Sequence, residues 1–356
     1  MSLISRYVIR QLSVFTVYAL LALLSLYAFF DILGEIGNVG QGQYSSGKML
    51  QYVLLQMPSH AYELMPLAVL IGGLIALSQL ASNSEYTVIK TSGISTARII
   101  GMLLLFGGLF ALITALLGEW VMPKSEQQAE RLRLNAIQGV VSAGGSGLWF
   151  KEDQSFIHVQ EMMPDNTLRG ITLYRYDDDH RLLETTTAAT AAFSGEAQWQ
   201  LHDVASTLIG EQQTEVKKAQ TQTWQARIDP QLLNVLLVDP EQMSASALKS
   251  YIEHLRNNDQ QTQRYEIAWW RKLFYPIAAV AMALIALAFT PQQRRHGNMG
   301  LKLFVGICLG IGFHFANRLF GFSSQLYGIP PVLAATLPTV LFFIAAVWWI
   351  RRQELR

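Results

Sequence analysis

Six apolar runs, each long enough to cross a bilayer, constrain this chain more than any other feature. They cover residues 12–33, 57–80, 99–121, 273–290, 301–320 and 332–350. About 20 consecutive apolar residues span the hydrocarbon core as a helix, and the backbone there must satisfy its own hydrogen bonds. Composition agrees. Of 356 residues, 51% are hydrophobic and only 15% are charged, against about a quarter charged in a soluble globule. The first run is too long for a cleaved signal peptide and no small-x-small cleavage site follows it, so it reads as a retained anchor. A single cysteine, Cys308, excludes an internal disulfide framework and a multi-cysteine metal site.

The net charge of +1 says nothing about partners, and nothing points to nucleic acid, but the distribution of charge is informative. Arg6 and Arg10 precede the first run, and Lys90 and Arg98 separate the second from the third. Arg294, Arg295 and Lys302 lie between the fourth and fifth, and Arg351, Arg352 and Arg356 follow the sixth. The alternate loops hold mainly Lys48, with Arg318 near the end of the fifth run. Short cytoplasmic loops collect Lys and Arg. Both termini are therefore expected on the cytoplasmic side and the long polar insert on the other.

That topology decides the meaning of GQYSSGKM, residues 42–49, which has the glycine and lysine spacing of a phosphate-cradling loop. It joins the first two runs on the outer side, and Met49 replaces the hydroxyl that would hold Mg²⁺. No strand precedes it. A Gly/Ser-rich surface loop is the reading, and the chain is not an ATPase on its own.

The organisation expected is residues 1–123 with the first three spans, 124–243 with a connector and a β-domain, 244–270 as a helical return, and 271–356 with the last three spans. From residue 147, six segments rich in Thr, Val, Ile and aromatics recur about every ten residues, separated by turn formers such as PDN and SGEA. Such spacing predicts short strands in an all-β sandwich or roll. Alternation puts Ile157 and Val159 on one face and Phe156 and His158 on the other. In residues 244–259, Leu248, Tyr251, Ile252 and Leu255 form a helical stripe.

No nucleophile, metal or acid–base constellation stands out. YDDDHR, residues 176–181, reads as a solvated turn, because neighbouring residues point apart and metal ligands must converge. His158 and His202 both lie in predicted strands, and nothing in the sequence brings them together. In the fifth span His314, Asn317 and Arg318 are spaced i, i+3, i+4, on one helix face. Polar groups within a bilayer usually face an interior or cavity, although Arg318 could equally snorkel to the interface. Gly306 and Gly310 form G-x-x-x-G, which close helix packing explains as well as gating does. Asp31, Glu35, Glu63 and Glu119 lie near the outer ends of the first three spans, as hydrated interfacial groups or as a polar cavity rim.

The loop after the second span, residues 83–99, is too short for a domain. Ser84 can cap a short helix with Glu85, Tyr86 and Thr87 in its first turn. Val88 and Ile89 supply an apolar knob, Lys90 follows, and Ser92 and Gly93 end it. The alternative is a plain interfacial turn.

At this loop a resemblance emerges. SEYTVIKTSG, GEWVMP at 118–123 and YGIPPVLAATLP at 327–338 resemble the LptF/LptG permeases of the lipopolysaccharide exporter. The six spans, the insert after the third and YPIAAVAMALIALAF agree, so the similarity covers essentially the whole chain. GEWVMP and YGIPP look like the LptG branch rather than its LptF paralogue. The resemblance implies an α-helical membrane protein of six transmembrane helices with an inserted periplasmic β-jellyroll-like domain, in the bacterial inner membrane. It implies a heterodimer with an LptF-like permease, an LptB-like ATPase dimer that binds ATP and Mg²⁺ in place of any cofactor on this chain, and LptC-like and LptA-like β-jellyroll proteins that accept the lipopolysaccharide. Residues 84–93 would match the coupling helix that contacts the ATPase. Phe29, Phe30, Asp31, Glu63, Phe313, His314, Asn317 and Arg318 would lie at the lipid cavity and lateral gates. One departure stands: some relatives carry a basic residue where this chain has Asp31 and Glu35, so no phosphate role transfers there. Two other classes compete with the permease, a membrane-anchored scaffold for envelope assembly and, less compatible with the absent catalytic residues, an intramembrane enzyme.

Overall fold

In the computed structural model, described for residues 3–137, 148–152, 154–162, 167–177, 179, 181–195, 198–210, 213–226, 239–257, 260–289 and 299–354, six helices are long and apolar enough to cross a membrane. Helix α1 (Leu3–Glu35) is followed by α2 (Ser46–Ser82), the short α3 (Glu85–Thr91) and α4 (Thr96–Leu116). A π-helical turn (Leu117–Val121) carries α4 directly into α5 (Met122–Ile137), which leads to the insert. After the insert come a 3₁₀ turn (Pro240–Gln242), α6 (Ala245–Asn257), α7 (Gln263–Ala288), α8 (Met299–Tyr327) and α9 (Pro331–Glu354). Arg294, Arg295 and Arg356, three of the charges used for orientation, lie outside the described residues.

Helices α2 and α7 form the centre. Their small residues permit close approach, which drives helix association where lipid is as apolar as protein. Ala278, Ala279, Ala281, Ala283 and Ala286 of α7 are wholly buried. A Cβ on Gly72 of α2 would collide with the backbone of Thr16 on α1, and one on Gly107 of α4 would stand 2.8 Å from Val280 Cα on α7. Gly306 and Gly310 of α8 are covered by the side chains of Leu74 and Leu67 on α2, so the G-x-x-x-G pair packs a neighbouring helix. Thr16 and Thr114, both buried, donate their hydroxyls to carbonyls one turn back, which leaves no unpaired polar atom there. Apolar side chains of α1 and α8 stay outward, among them Phe29, Phe30, Phe315, Leu319 and Phe322. The sole cysteine, Cys308, is exposed on α8.

Between residues 148 and 226 the described part of the insert is all-β, as its strand spacing predicts. Strands β1 (Leu148–Glu152), β2 (Ser155–Met162), β3 (Leu168–Tyr176), β4 (Leu182–Gly195), β5 (Gln198–Ile209) and β6 (Thr214–Gln225) pair antiparallel in sequence order. Ile157 and Val159 are buried and Phe156 is outward, the predicted alternation. Trp199 is fully buried with Leu201, Ala191 and Leu168 in the sheet's own core. Among the described residues strand β6 pairs only with β5, and it is exposed on both faces through most of its length. On α6 the predicted stripe of Leu248, Tyr251, Ile252 and Leu255 is buried.

The phosphate-loop-like stretch has a structural role instead. Gly42 has φ of +54°, and a Cβ there would stand 2.7 Å from the carbonyl oxygens of Ala136 and Ile137. The Gln43 amide donates to Ala136 O at 2.7 Å. Ser45 caps α2 by accepting from the Lys48 amide. The stretch seals the end of α5 and starts α2.

Candidate functional site

Residues singled out in the fifth span gather where α2, α7 and α8 meet, at the end of the bundle joined to the insert. Phe313 and Asn317 turn inward. Phe313 packs on Tyr275 and Phe342, and buried Asn317 donates to the Phe313 carbonyl at 3.2 Å. His314 and Arg318 sit on the exposed side of the same helix. Three adjoining cavities open along this seam. One of about 220 Å³ is lined by Tyr27, Glu63, Phe313 and His314. One of about 500 Å³ is lined by Glu63, Glu241, Arg264, Arg271 and Arg318. A narrow one of about 40 Å³ between them touches His314, Asn317 and Arg318 together. Among the described residues, neither the Glu63 carboxylate nor the Arg318 guanidinium has a hydrogen-bond or ion-pair partner.

Phe29, Phe30 and Asp31 do not line these cavities. Phe29 and Phe30 stack edge to face on the outer surface of α1, 5.7 Å apart. Asp31 turns to α2 and meets His60 Nε2 at 2.7 Å. The other acids read as a polar rim are also engaged. Glu35 is buried and pairs with Arg133 of α5 at 3.1 Å. Glu119, in the π turn, accepts from the Ala245 and Ser246 amides at 2.8 and 3.3 Å and so caps α6. Of the four, only Glu63 faces the cavities.

Sequence reasoning missed the clamp beside this seam. Arg264, Arg271 and Lys272 lie on one face of α7 at i, i+7 and i+8. Arg264 pairs with Asp239 at 2.8 Å and Arg271 with Glu241. Buried Lys272 donates to the Met243 carbonyl at 2.5 Å and stands over the Tyr62 ring. The second arm of Arg271 reaches the Asn317 carbonyl of α8 at 2.9 Å. One arginine thus joins α7, α8 and the segment returning from the sheet. The signal was present as basic residues at helical spacing opposite an acidic Asp-Pro-Glu, but acids and bases distant in sequence give no distance.

At the opposite end of the bundle, α3 is a seven-residue helix anchored by Tyr86, 5% exposed. Burial raises the Tyr86 hydroxyl above its ordinary pKa. Two sequence expectations are corrected here. Ser84 does not cap the helix: it has φ of +62° and its side chain accepts no cap bond. Glu85 is instead held by Tyr7 Oη of α1 at 2.9 Å and Asn83 Nδ2 at 3.3 Å. Nor do Val88 and Ile89 form a joint knob. Val88 projects, 64% exposed, while Ile89 packs against the bundle core. Lys90 lies over the Tyr86 ring, Thr87 and Ser92 are exposed, and Gly93, with φ of +86°, turns the chain toward α4. Leu3, Ile4, Tyr7, Val88 and Ile89 border a groove of about 450 Å³.

Among the described residues no three His, Cys, Asp or Glu side chains converge as a metal site. The 176–181 segment is a turn in which Asp177 accepts from the Arg181 amide at 2.7 Å, with Asp178 and His180 outside the described residues. His158 on β2 and His202 on β5 are separated by two strands.

A family model described as lipopolysaccharide export system permease LptF/LptG matches residues 6–352. The lipopolysaccharide export system permease protein LptG of Escherichia coli K12 is 32% identical over 318 residues, 88% of each chain. The protein of the same description from Haemophilus influenzae is 32% identical over 320 residues, 89% of each chain.

Proposed function

The chain belongs to the LptF/LptG family of lipopolysaccharide export permeases, and from that premise we propose that it is one half of a transmembrane path that lifts lipopolysaccharide out of the inner membrane. In this reading it pairs with an LptF-like paralogue across the outward faces of α1 and α8. Both termini and α3 are cytoplasmic, and the sheet stands in the periplasm, where LptC-like and LptA-like partners receive the lipid. The chain itself is a non-catalytic permease. Energy enters through α3 from a separate LptB-like ATPase that binds ATP and Mg²⁺.

The observation that carries this reading is the outward apolar surface of α1 and α8, with Phe29, Phe30, Phe315, Leu319 and Phe322 uncovered beside the polar seam of Glu63, His314 and Arg318. Acyl chains gain about 0.8 kcal/mol per buried CH₂, while a phosphorylated sugar needs the polar seam. The test is photo-crosslinking from Phe30 and Phe315 in the assembled exporter. Lipopolysaccharide adducts that disappear on ATP turnover are expected. An exporter that transports lipid with no adduct at either position overturns the outward face of α1 and α8 as the lipid path.

The α3 reading has its own test. Glu85→Ala, or Gly93→Val at a backbone position of positive φ, should uncouple ATP hydrolysis from lipid release while the assembly still purifies intact. Full export by both variants would remove α3 from the power path.

A further inference from the structure

Glu63 and Arg318 line the same two cavities but form no salt bridge with each other. The larger cavity is lined by three guanidiniums, Arg264, Arg271 and Arg318, and three carboxylates, Glu63, Asp239 and Glu241. Two of each neutralise one another, Arg264 with Asp239 and Arg271 with Glu241. One cation and one anion remain without a partner among the described residues, and the buried Nε of Arg271 has no acceptor among them either.

We propose that this seam binds a zwitterionic phosphoethanolamine headgroup, its phosphate on Arg318 and its ammonium on Glu63. The proposal deepens the reading of the seam as a lipid cavity and rests on it. A bare anion at Arg318 would leave Glu63 uncompensated, and a bare amine at Glu63 would do the same to Arg318. A headgroup that carries both charges satisfies both. Guanidinium and phosphate match in a two-pronged contact. A primary ammonium donates hydrogen bonds to a carboxylate, a quaternary choline donates none, and a glycerol headgroup brings no cation. The attached chains would lie on the outward Phe315, Leu319 and Phe322 of α8. Two sources carry this chemistry, a membrane phospholipid and a lipid-linked saccharide decorated with phosphoethanolamine.

The test is native mass spectrometry of the full assembly released from nanodiscs of equimolar dioleoyl phosphatidylethanolamine, phosphatidylglycerol and phosphatidylcholine. The ethanolamine lipid should be retained about tenfold over the others, a difference of about 1.4 kcal/mol. Glu63→Gln should erase its advantage over phosphatidylglycerol, Arg318→Gln should lower retention of both, and Glu63→Asp should keep the preference. Each variant is first shown to assemble with its paralogue. Equal retention by the unsubstituted protein, or a preference that survives both neutralising changes, overturns the site. A parallel arm offers lipid A with and without phosphoethanolamine substituents in nanodiscs free of the phospholipid. Preference for the substituted form assigns the headgroup to cargo, and no preference there beside a preference among phospholipids assigns it to a resident lipid. Crosslinking of lipopolysaccharide at Phe30, read on the same samples, separates the two levels. Crosslinking without headgroup preference removes this site alone, and headgroup preference without crosslinking removes the export reading.

Discussion

Arg271 can bridge α7, α8 and the 3₁₀ turn because Gly321 carries no side chain: a Cβ there would stand 2.5 Å from Nη2. Gly321→Val is expected to push the guanidinium off the Asn317 carbonyl. A cost of about 1–3 kcal/mol follows from overpacking, seen as a lower unfolding midpoint in detergent. Gly312, with nothing within 4 Å of its built Cβ, is the control, and Gly312→Ala should leave the midpoint where it is. Glu119→Ala should release the first amides of α6 at about 0.5–2 kcal/mol, the usual range for a lost helix cap, with proteolysis appearing near residue 245. At this scale the sequence was legible for type and poor for partner. Asp31, Glu35, Glu63 and Glu119 look equivalent as acids near helix ends, yet His60, Arg133 and the α6 amides engage three of them. Those partners lie 29, 98 and 126 residues away, a separation that no local pattern encodes.

Helices and strands were read where periodicity is strong. The stripe of α6 and the alternation around Ile157 follow from the 3.6- and 2-residue repeats alone. The cap of α3 was misread because Ser84 has the right chemistry for an N-cap and the wrong backbone, φ +62°; hydroxyl chemistry is visible in a sequence and a left-handed turn at a non-glycine residue is not. Tyr86 fixes this helix to the bundle, so Tyr86→Ala should loosen α3 and, on the proposed coupling role, reduce copurification of the proposed ATPase partner while the six long helices remain folded by circular dichroism. An unchanged yield of ATPase would show that burial of Tyr86 does not seat the helix. In the sheet, Trp199→Ala empties the centre of the core, an effect of about 3–5 kcal/mol for a buried aromatic. Limited proteolysis should then cut within residues 148–226 and spare the helices.

Over the whole molecule, the number of spans was plain and their arrangement was not. All six runs are apolar, because lipid and protein interior place the same demand on a side chain. The alanines of α7 were the available clue that it lies in the middle, since only small residues let neighbours close on every side. The bulky outward rows of α1 and α8 read the same in sequence as any buried row; packing alone reveals that nothing among the described residues covers them.

One sulfur atom, on the exposed side of α8, gives those rows a clock. Maleimides capture the thiolate, which forms readily in water and scarcely at all among hydrocarbon tails. Cys308 is the chain's single thiol, so a water-soluble maleimide offered during turnover should modify it in bursts if α8 swings between oil and an aqueous opening. A constant rate across nucleotide states would mean that this helix keeps one solvent throughout the cycle. Any movement of α8 can therefore be timed on the unaltered polypeptide, with no engineered label.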